Sequence, residues 1–253
     1  MEKGLSVLGS MLARYLNKVS HQHGHMPVHT SDQLLATLQP GDVLLVEGNR
    51  RISTAIKYLT QSTWSHAALF IGIEHGFTLP SHHCFVEANT LDGVRTVGID
   101  EFRGLNTRIC RPIDLSSVDC QRVIGHAMAR LGQQYDLRNV WDLARYLIAT
   151  PPVPQAYRRR MIALGSGDPS RAICSSMIAQ AFQSIHYPIL PLVEHQSTDS
   201  PSCPGCIEEI LHIRHHSLFA PRDFDISPYF QVFKVGLAIG FDYQSLHWAD
   251  SPE

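Results

Sequence analysis

The stretch Ser62–Gly72, "STWSHAALFIG", decides how the rest of the chain is read. Ser65 to Ile73 reads as a buried strand, and His66 stands at its entrance. The chain holds 15 histidines, so one imidazole carries little weight alone. A core histidine satisfied by a single hydrogen bond is the plain alternative to a catalytic one. Partners elsewhere in the chain decide between the two.

Working outward, "SDQLLATLQPGD" predicts a short helix capped by Ser31 or Asp32 and ended by a turn at Pro40-Gly41-Asp42. "DVLLVE" reads as a strand, and Arg51 to Gln61 as a short helix. After the His66 strand come strands at Cys84–Ala88 and Arg108–Pro112, with a hairpin arm around "DGVRTVG" between them. The pattern turns helical from Ser117 to Leu131 and stops at Gly132. Further helices are expected over Arg138–Ala149 and Gln155–Leu164. In "GDPSRAICSSMIAQAFQSIHYP", Asp168 suits an N-cap and Pro169 the first helical position. Ile173, Met177, Ile178, Ala181, Phe182 and Ile185 then mark a wide apolar face. Beyond Pro188 the tail reads as irregular, with one more strand near Tyr229–Val235. Strands gathered ahead of helices predict an α+β fold.

Leu5, Leu8, Leu12, Leu16 and Val19 recur at helical spacing, so residues 1–30 read as an amphipathic helix followed by a His-rich linker. Residues 31–187 form the core, and 188–253 an extension that packs on it. The N-terminal helix either packs on that core or makes a peripheral membrane contact. No apolar stretch reaches the ~20 residues of a membrane helix. The chain has 253 residues, 44% of them apolar, and a formal charge of −2, which gives no sign of a nucleic-acid partner. Basic residues are 17 Arg against 4 Lys, with Arg158, Arg159 and Arg160 in a run that reads as a solvated helix face. Six cysteines are too sparse for a disulfide scaffold, so they are expected to be reduced, in a cytoplasmic setting.

One of them, Cys174, falls in the first or second turn of the late helix, where the helix dipole favours thiolate. Ser175 and Ser176 after it are expected to leave the helix start partly wet. A thiolate beside an imidazole is a nucleophilic pair, and helix-end N–H groups suit an oxyanion. An inert thiol in the helix–sheet interface is the competing reading. The third member is Glu87 in "CFVEANT", on the strand after His66, where it is in reach of the far ring nitrogen. A strand-end carboxylate facing water is its plain alternative. Tyr135 in "LGQQYD", with Ser65 and Trp64 beside the histidine, are the candidates for lining the substrate pocket.

The ordered set "LQPGDVLLVEG", "STWSHAALFIG", "FVEAN", "LGQQYD" and "AICSSMIAQAF" resembles the circularly permuted branch of the NlpC-type, papain-like cysteine hydrolases, closest to the YiiX-like group. The lecithin:retinol acyltransferases belong to the same wider branch. In this branch histidine comes first, the acid next and cysteine last, as here. The resemblance spans about Leu38 to Tyr187. It implies a papain-like core in which a small antiparallel sheet packs against the cysteine helix, with extra helices and an irregular C-terminal extension. It implies Cys174 as nucleophile, His66 as base and Glu87 as orienter, acting through an acyl-enzyme on a small peptide-like amide or an acyl ester or thioester. Transfer of the acyl group to a lipid or amine acceptor is the first alternative. A non-catalytic binding module is the second.

A separate cluster, "PSCPGCIEEILHIRHH", carries Cys203, Cys206, His212 and His215, the donor types of a tetrahedral zinc shell. The gap from Cys206 to His212 is short for a zinc finger. The readings are a structural zinc staple, a redox Cys-x-x-Cys, for which no helix clearly starts there, and a loop with incidental thiols; no other cofactor is expected.

Overall fold

The computed structural model describes residues 18, 30–73, 76–80, 82–89, 92–134, 174–200 and 203–235. Alternation along the early strands builds its centre. Val43 and Leu45 join one apolar cluster while Leu44 and Val46 join another; Ala67 and Leu69 go with the first pair, Ala68 and Phe70 with the second. Successive strand residues point to opposite faces, so both faces of this sheet are covered. That explains why the strands read as continuous apolar runs rather than as an alternating pattern.

The strands are β1 (Val43–Glu47), β2 (His66–Phe70), β3 (His83–Asn89), β4 (Gly93–Gly98), β5 (Asn106–Pro112) and, far along the chain, β8 (Phe230–Phe233). They form one antiparallel sheet in the order β4-β3-β2-β1-β5-β8. The expected α+β arrangement is met, and the expected hairpin arm at "DGVRTVG" is β4. Gly93 turns it with φ 72, and a Cβ there would sit 2.1 Å from the Gln133 carbonyl oxygen, so only glycine fits.

The helices are α1 (Ser31–Thr37), α2 (Arg51–Thr60), α3 (Ser117–Met128), α4 (Cys174–Gln183) and the single turn α5 (Arg222–Asp225). On one face of the sheet, α3 and α4 bury Val123, Ala127, Met177, Ile178, Ala181 and Phe182. On the other, Leu34 of α1 and Phe102 of a 3-10 turn (Ile99–Phe102) cover Leu44, Phe70 and Phe85. The cap of α1 is Thr30, one residue before Ser31 and two before Asp32, the expected caps. Its hydroxyl accepts from Gln33 N, and the Gln33 side chain accepts from Thr30 N in return. This capping box satisfies two helix-end donors, which a cap at Ser31 would not.

The tail departs most from expectation. Leu192–Ser200 (β6) and Cys203–His212 (β7) pair into a two-stranded ribbon, where the sequence reads as irregular. Leu192, Val193 and Leu211 near its base are exposed, so no burial imposes a period on the sequence. After the ribbon the chain re-enters the core. Phe219, Phe224 and Phe230 are buried with α4, and Ser175 donates a 2.7 Å hydrogen bond to the Phe219 carbonyl. The expected extension is thus woven into the sheet and the helix layer.

The sequence-predicted amphipathic N-terminal helix, the His-rich linker, both helices of the Arg-rich segment, Asp168 and Pro169 lie outside the described residues. Among the described residues, no helix is long and apolar enough to cross a membrane.

Candidate active site

His66 opens β2 at the end of the strand that carries Ala67 and Ala68. Both alanines are fully buried, and their small side chains let neighbouring elements come close. α4 packs across β2 and β3 with Cys174 at its first described residue, at the mouth of the sheet. The backbones of Ala67 and Ser175 and the side chain of His66 all hydrogen-bond the Cys174 sulfur. His66 Nε2 lies 2.7 Å from Oε2 of Glu87, which leaves Nδ1 for the sulfur. Glu87 sits on β3, its side chain 3% exposed, while that of His66 keeps 25% of its surface open to the cleft. The imidazole lies against the ring of Phe102, 6.4 Å between centroids.

The three residues from distant parts of the sequence are therefore in one place, with no aliphatic layer between them. Their electrostatics are mutual. Burial disfavours both charges, but the Cys174 sulfur and the Glu87 carboxylate hold the imidazolium, and the pKa of His66 is raised. Burial likewise opposes the Cys174 thiolate, but the imidazolium and the two backbone contacts outweigh it, and its pKa is lowered. Cys84, Cys110 and Cys120 go the opposite way. Burial pushes Cys84 up to about 11, and it pushes Cys110 and Cys120 up as well. Burial also works against the charge on Glu87, but His66 first and Arg95 second bring it down to about 2.

The site opens into a small cleft of about 100 Å³. Val46, Ile52, Ile56, Phe102 and Leu105 give it apolar walls; Asn49, Arg50, Asn89 and Glu101 give it a polar rim. Helix α2 forms one wall because Gly48 lets the β1–α2 turn fold tightly: a Cβ there would lie 2.4 Å from Ser53 Oγ. Lys57 of α2 is tied to Glu47 of β1 at 2.9 Å, which fixes that wall to the sheet.

The remaining expected residues fare differently. Ser65 lines the cleft, and its hydroxyl accepts from Gly48 N at 3.0 Å, pinning the turn. Trp64 is not among the cleft-lining residues. It is buried, its indole donates to Asp225 Oδ2 at 3.1 Å, and the Arg108 guanidinium lies 4.9 Å over its ring. Arg108 is in turn paired with Asp225 at 2.7 Å, so Trp64 locks the segment before His66 to α5. Tyr135 lies outside the described residues. Ser175 and Ser176, expected to be partly wet, are buried, because the returning C-terminal segment covers that side of α4.

Of the candidate metal ligands, the backbone of β7 places Cys203 at its start and His212 at its end. Cys203 pairs with Ser200 and Cys206 with Thr198 along β7, while His212 is six residues further, about 20 Å away in an extended strand. His212 Nε2 is 2.7 Å from Glu194, and His215 bonds Ser217. Among the described residues, no group of three or more His, Cys, Asp or Glu is placed to hold a metal ion.

Arg95 is the residue that reading the sequence missed. It stands opposite Glu87 in the β3–β4 ladder and contacts its second oxygen. The signal was there: counting back from the Asp92-Gly93 turn pairs the two positions.

Residues 37–147 match a family model described as a permuted papain-like amidase enzyme, YaeF/YiiX, C92 family. The matched stretch contains His66 and Glu87 and ends before Cys174. No curated protein matches. Among solved structures, the crystal structure of the metalloprotein YiiX from Escherichia coli O157:H7 is similar, with 16% identity over 78% of this chain and 96% of that one and a TM-score of 0.47. Through residues 37–147, then, the chain is similar to the permuted papain-like amidases described by the YaeF/YiiX family model.

Proposed function

We propose that the protein is a cysteine hydrolase that cleaves an amide, or an acyl ester or thioester, through Cys174, His66 and Glu87. One observation carries this reading: the Cys174 sulfur is hydrogen-bonded to an imidazole whose other nitrogen is 2.7 Å from a buried carboxylate. A thiolate–imidazolium pair is ready to react without a prior proton transfer. The sulfur attacks the substrate carbonyl carbon, a C–S bond forms, and the carbonyl electron pair moves onto oxygen. When the tetrahedral centre collapses, the bond to the amine, alcohol or thiol breaks and His66 gives its proton to that group. Water then attacks the thioester, His66 takes its proton, and Cys174 leaves as thiolate. Glu87 holds the ring in the tautomer and orientation both steps require. The apolar walls of the cleft suit an apolar acyl or side-chain group next to the scissile carbonyl.

Covalent capture tests this. An acyl-type electrophilic probe, such as an acyloxymethyl ketone, from whose methylene carbon the thiolate displaces a carboxylate to leave a stable thioether, is expected to label wild-type protein at Cys174, as located by peptide mass spectrometry. Cys174→Ala and His66→Ala are each expected to abolish capture, and Glu87→Gln to slow it roughly tenfold or more. Labelling of His66→Ala at the wild-type rate would refute the pair.

A further inference from the structure

We infer that Arg95 is a positioning residue of this site: it grips one oxygen of Glu87 so that the other stays aimed at His66. The inference builds on the proposed triad.

A buried carboxylate has two oxygens to satisfy, and an imidazole serves only one. Oε2 of Glu87 is taken by His66 Nε2 at 2.7 Å. Oε1 receives the Arg95 Nε–H at 2.9 Å and lies 2.8 Å from a terminal nitrogen of the same guanidinium. That terminal nitrogen also holds Glu101 at 2.9 Å, and the other faces Asp92 at 3.3 Å. Three carboxylates from β3, the 3-10 turn and the β3–β4 turn thus fix one planar fork. A lysine, with a single point of contact, cannot bridge them in this way.

The backbone holds Arg95 just as firmly. It lies opposite Glu87 in the ladder, and the register follows from the Gly93 turn. β4 is an edge strand, yet its start is pinned to the segment after α3: Val94 N donates to Gln133 O, and Gly132 N to Val94 O, both at 2.8 Å. The charged and titratable groups that face Glu87 or its arginine among the described residues are His66 from β2, Cys174 from α4, Arg95 from β4, and Glu101 and Asp92 behind Arg95. Arg50, across the cleft rim, reaches Glu101 at 3.4 Å.

A grip and a bare charge have opposite consequences at His66. Arg95 is a cation near the imidazolium, so if charge were its only effect, removing it would make His66 easier to protonate. If its effect is to hold Glu87, removing it frees the carboxylate to swing into the cleft, and His66 loses its counter-charge. The experiment follows the imidazole of His66 by NMR of full-length protein labelled with 15N-histidine, titrated with alkali, with His66→Gln to assign the signal. In wild type the midpoint is expected near pH 10. Arg95→Met is expected to lower it by about one unit or more, toward the value of Glu87→Gln. Arg95→Lys is expected to fall between the two. An unchanged or raised midpoint in folded Arg95→Met overturns the inference, as does a wild-type midpoint in Arg95→Lys, which keeps the charge and remains the test should the Met variant not fold. Capture of the acyl probe by Cys174→Ala is run in parallel. If that variant still captures the probe, the triad reading falls; if it does not and the midpoints fail to move, the role of Arg95 alone falls.

Discussion

Glu87 makes a prediction about stability that can be worked through in full. Its carboxyl is held at about 2 against an ordinary value of 4.5, mainly by His66 and Arg95 acting against burial. A folded-state pKa below the unfolded one contributes stability that is fully present above the unfolded value and is lost as pH falls toward the folded one. A displacement of about 2.5 units corresponds to about 3 kcal/mol at neutral pH, at about 1.36 kcal/mol per unit. The side chain is 3% exposed, so solvent screening takes little from this. Part of the same energy appears as the raised pKa of His66, since one contact produces both. Between about pH 6 and about pH 3, the titration of this one group is expected to remove about 2 kcal/mol. Glu87→Gln has no carboxylate to titrate. Urea unfolding of both proteins at several pH values, provided each remains two-state, gives the difference in stability between them. That difference is expected to shrink by about 2 kcal/mol on going to acid. Other carboxylates titrate in both proteins and cancel. A difference that stays flat between neutral and acid pH would mean that Glu87 is not held as an ion by His66 and Arg95, and the electrostatic account of the site would fail with it.

Three further outcomes are expected. Asp225→Ala removes the acceptor of the Trp64 indole and the partner of Arg108, and should cost about 2–3 kcal/mol in chemical denaturation; it should also slow probe capture, because Trp64 anchors the approach to His66. Gly93→Ala forces a Cβ against the Gln133 carbonyl in a left-handed turn and should cost more than about 1 kcal/mol, read as a lowered thermal midpoint. A chain ending at residue 190 lacks Phe219, Phe224, Phe230 and β8, and is expected to give no near-ultraviolet circular dichroism and no cooperative unfolding.

Much of the sheet was legible because local rules and tertiary outcome agree there. "DVLLVE" and "SHAALF" are strands under either core cluster, and an Asp-Gly turn fixes its own hairpin. The two-stranded ribbon was not legible, since a segment solvated near its base has no buried face to impress a period on its residues. Trp64 looked like a pocket residue because it adjoins His66. Its burial under Arg108 depends on Asp225, 161 positions away, which no local pattern reports. The separation of Cys203 from His212 is of the same kind: their sequence spacing is that of a ligand set only if the chain turns between them, and it runs straight.

The sequence by itself determined which side chains were competent for the chemistry: a cysteine near the start of an apolar-faced helix, a histidine at the head of a buried strand, and an acid on the next strand. These follow from hydrophobic period and residue type, which are local. Only the tertiary structure decided that the three meet, that both oxygens of the acid are claimed, and that the last third of the chain closes the core around the cysteine helix. Those facts rest on packing between separate elements, β2, β3, β4, α4 and the returning C-terminal segment, where the free energy depends on which surfaces are buried against each other, and this information belongs to no single segment.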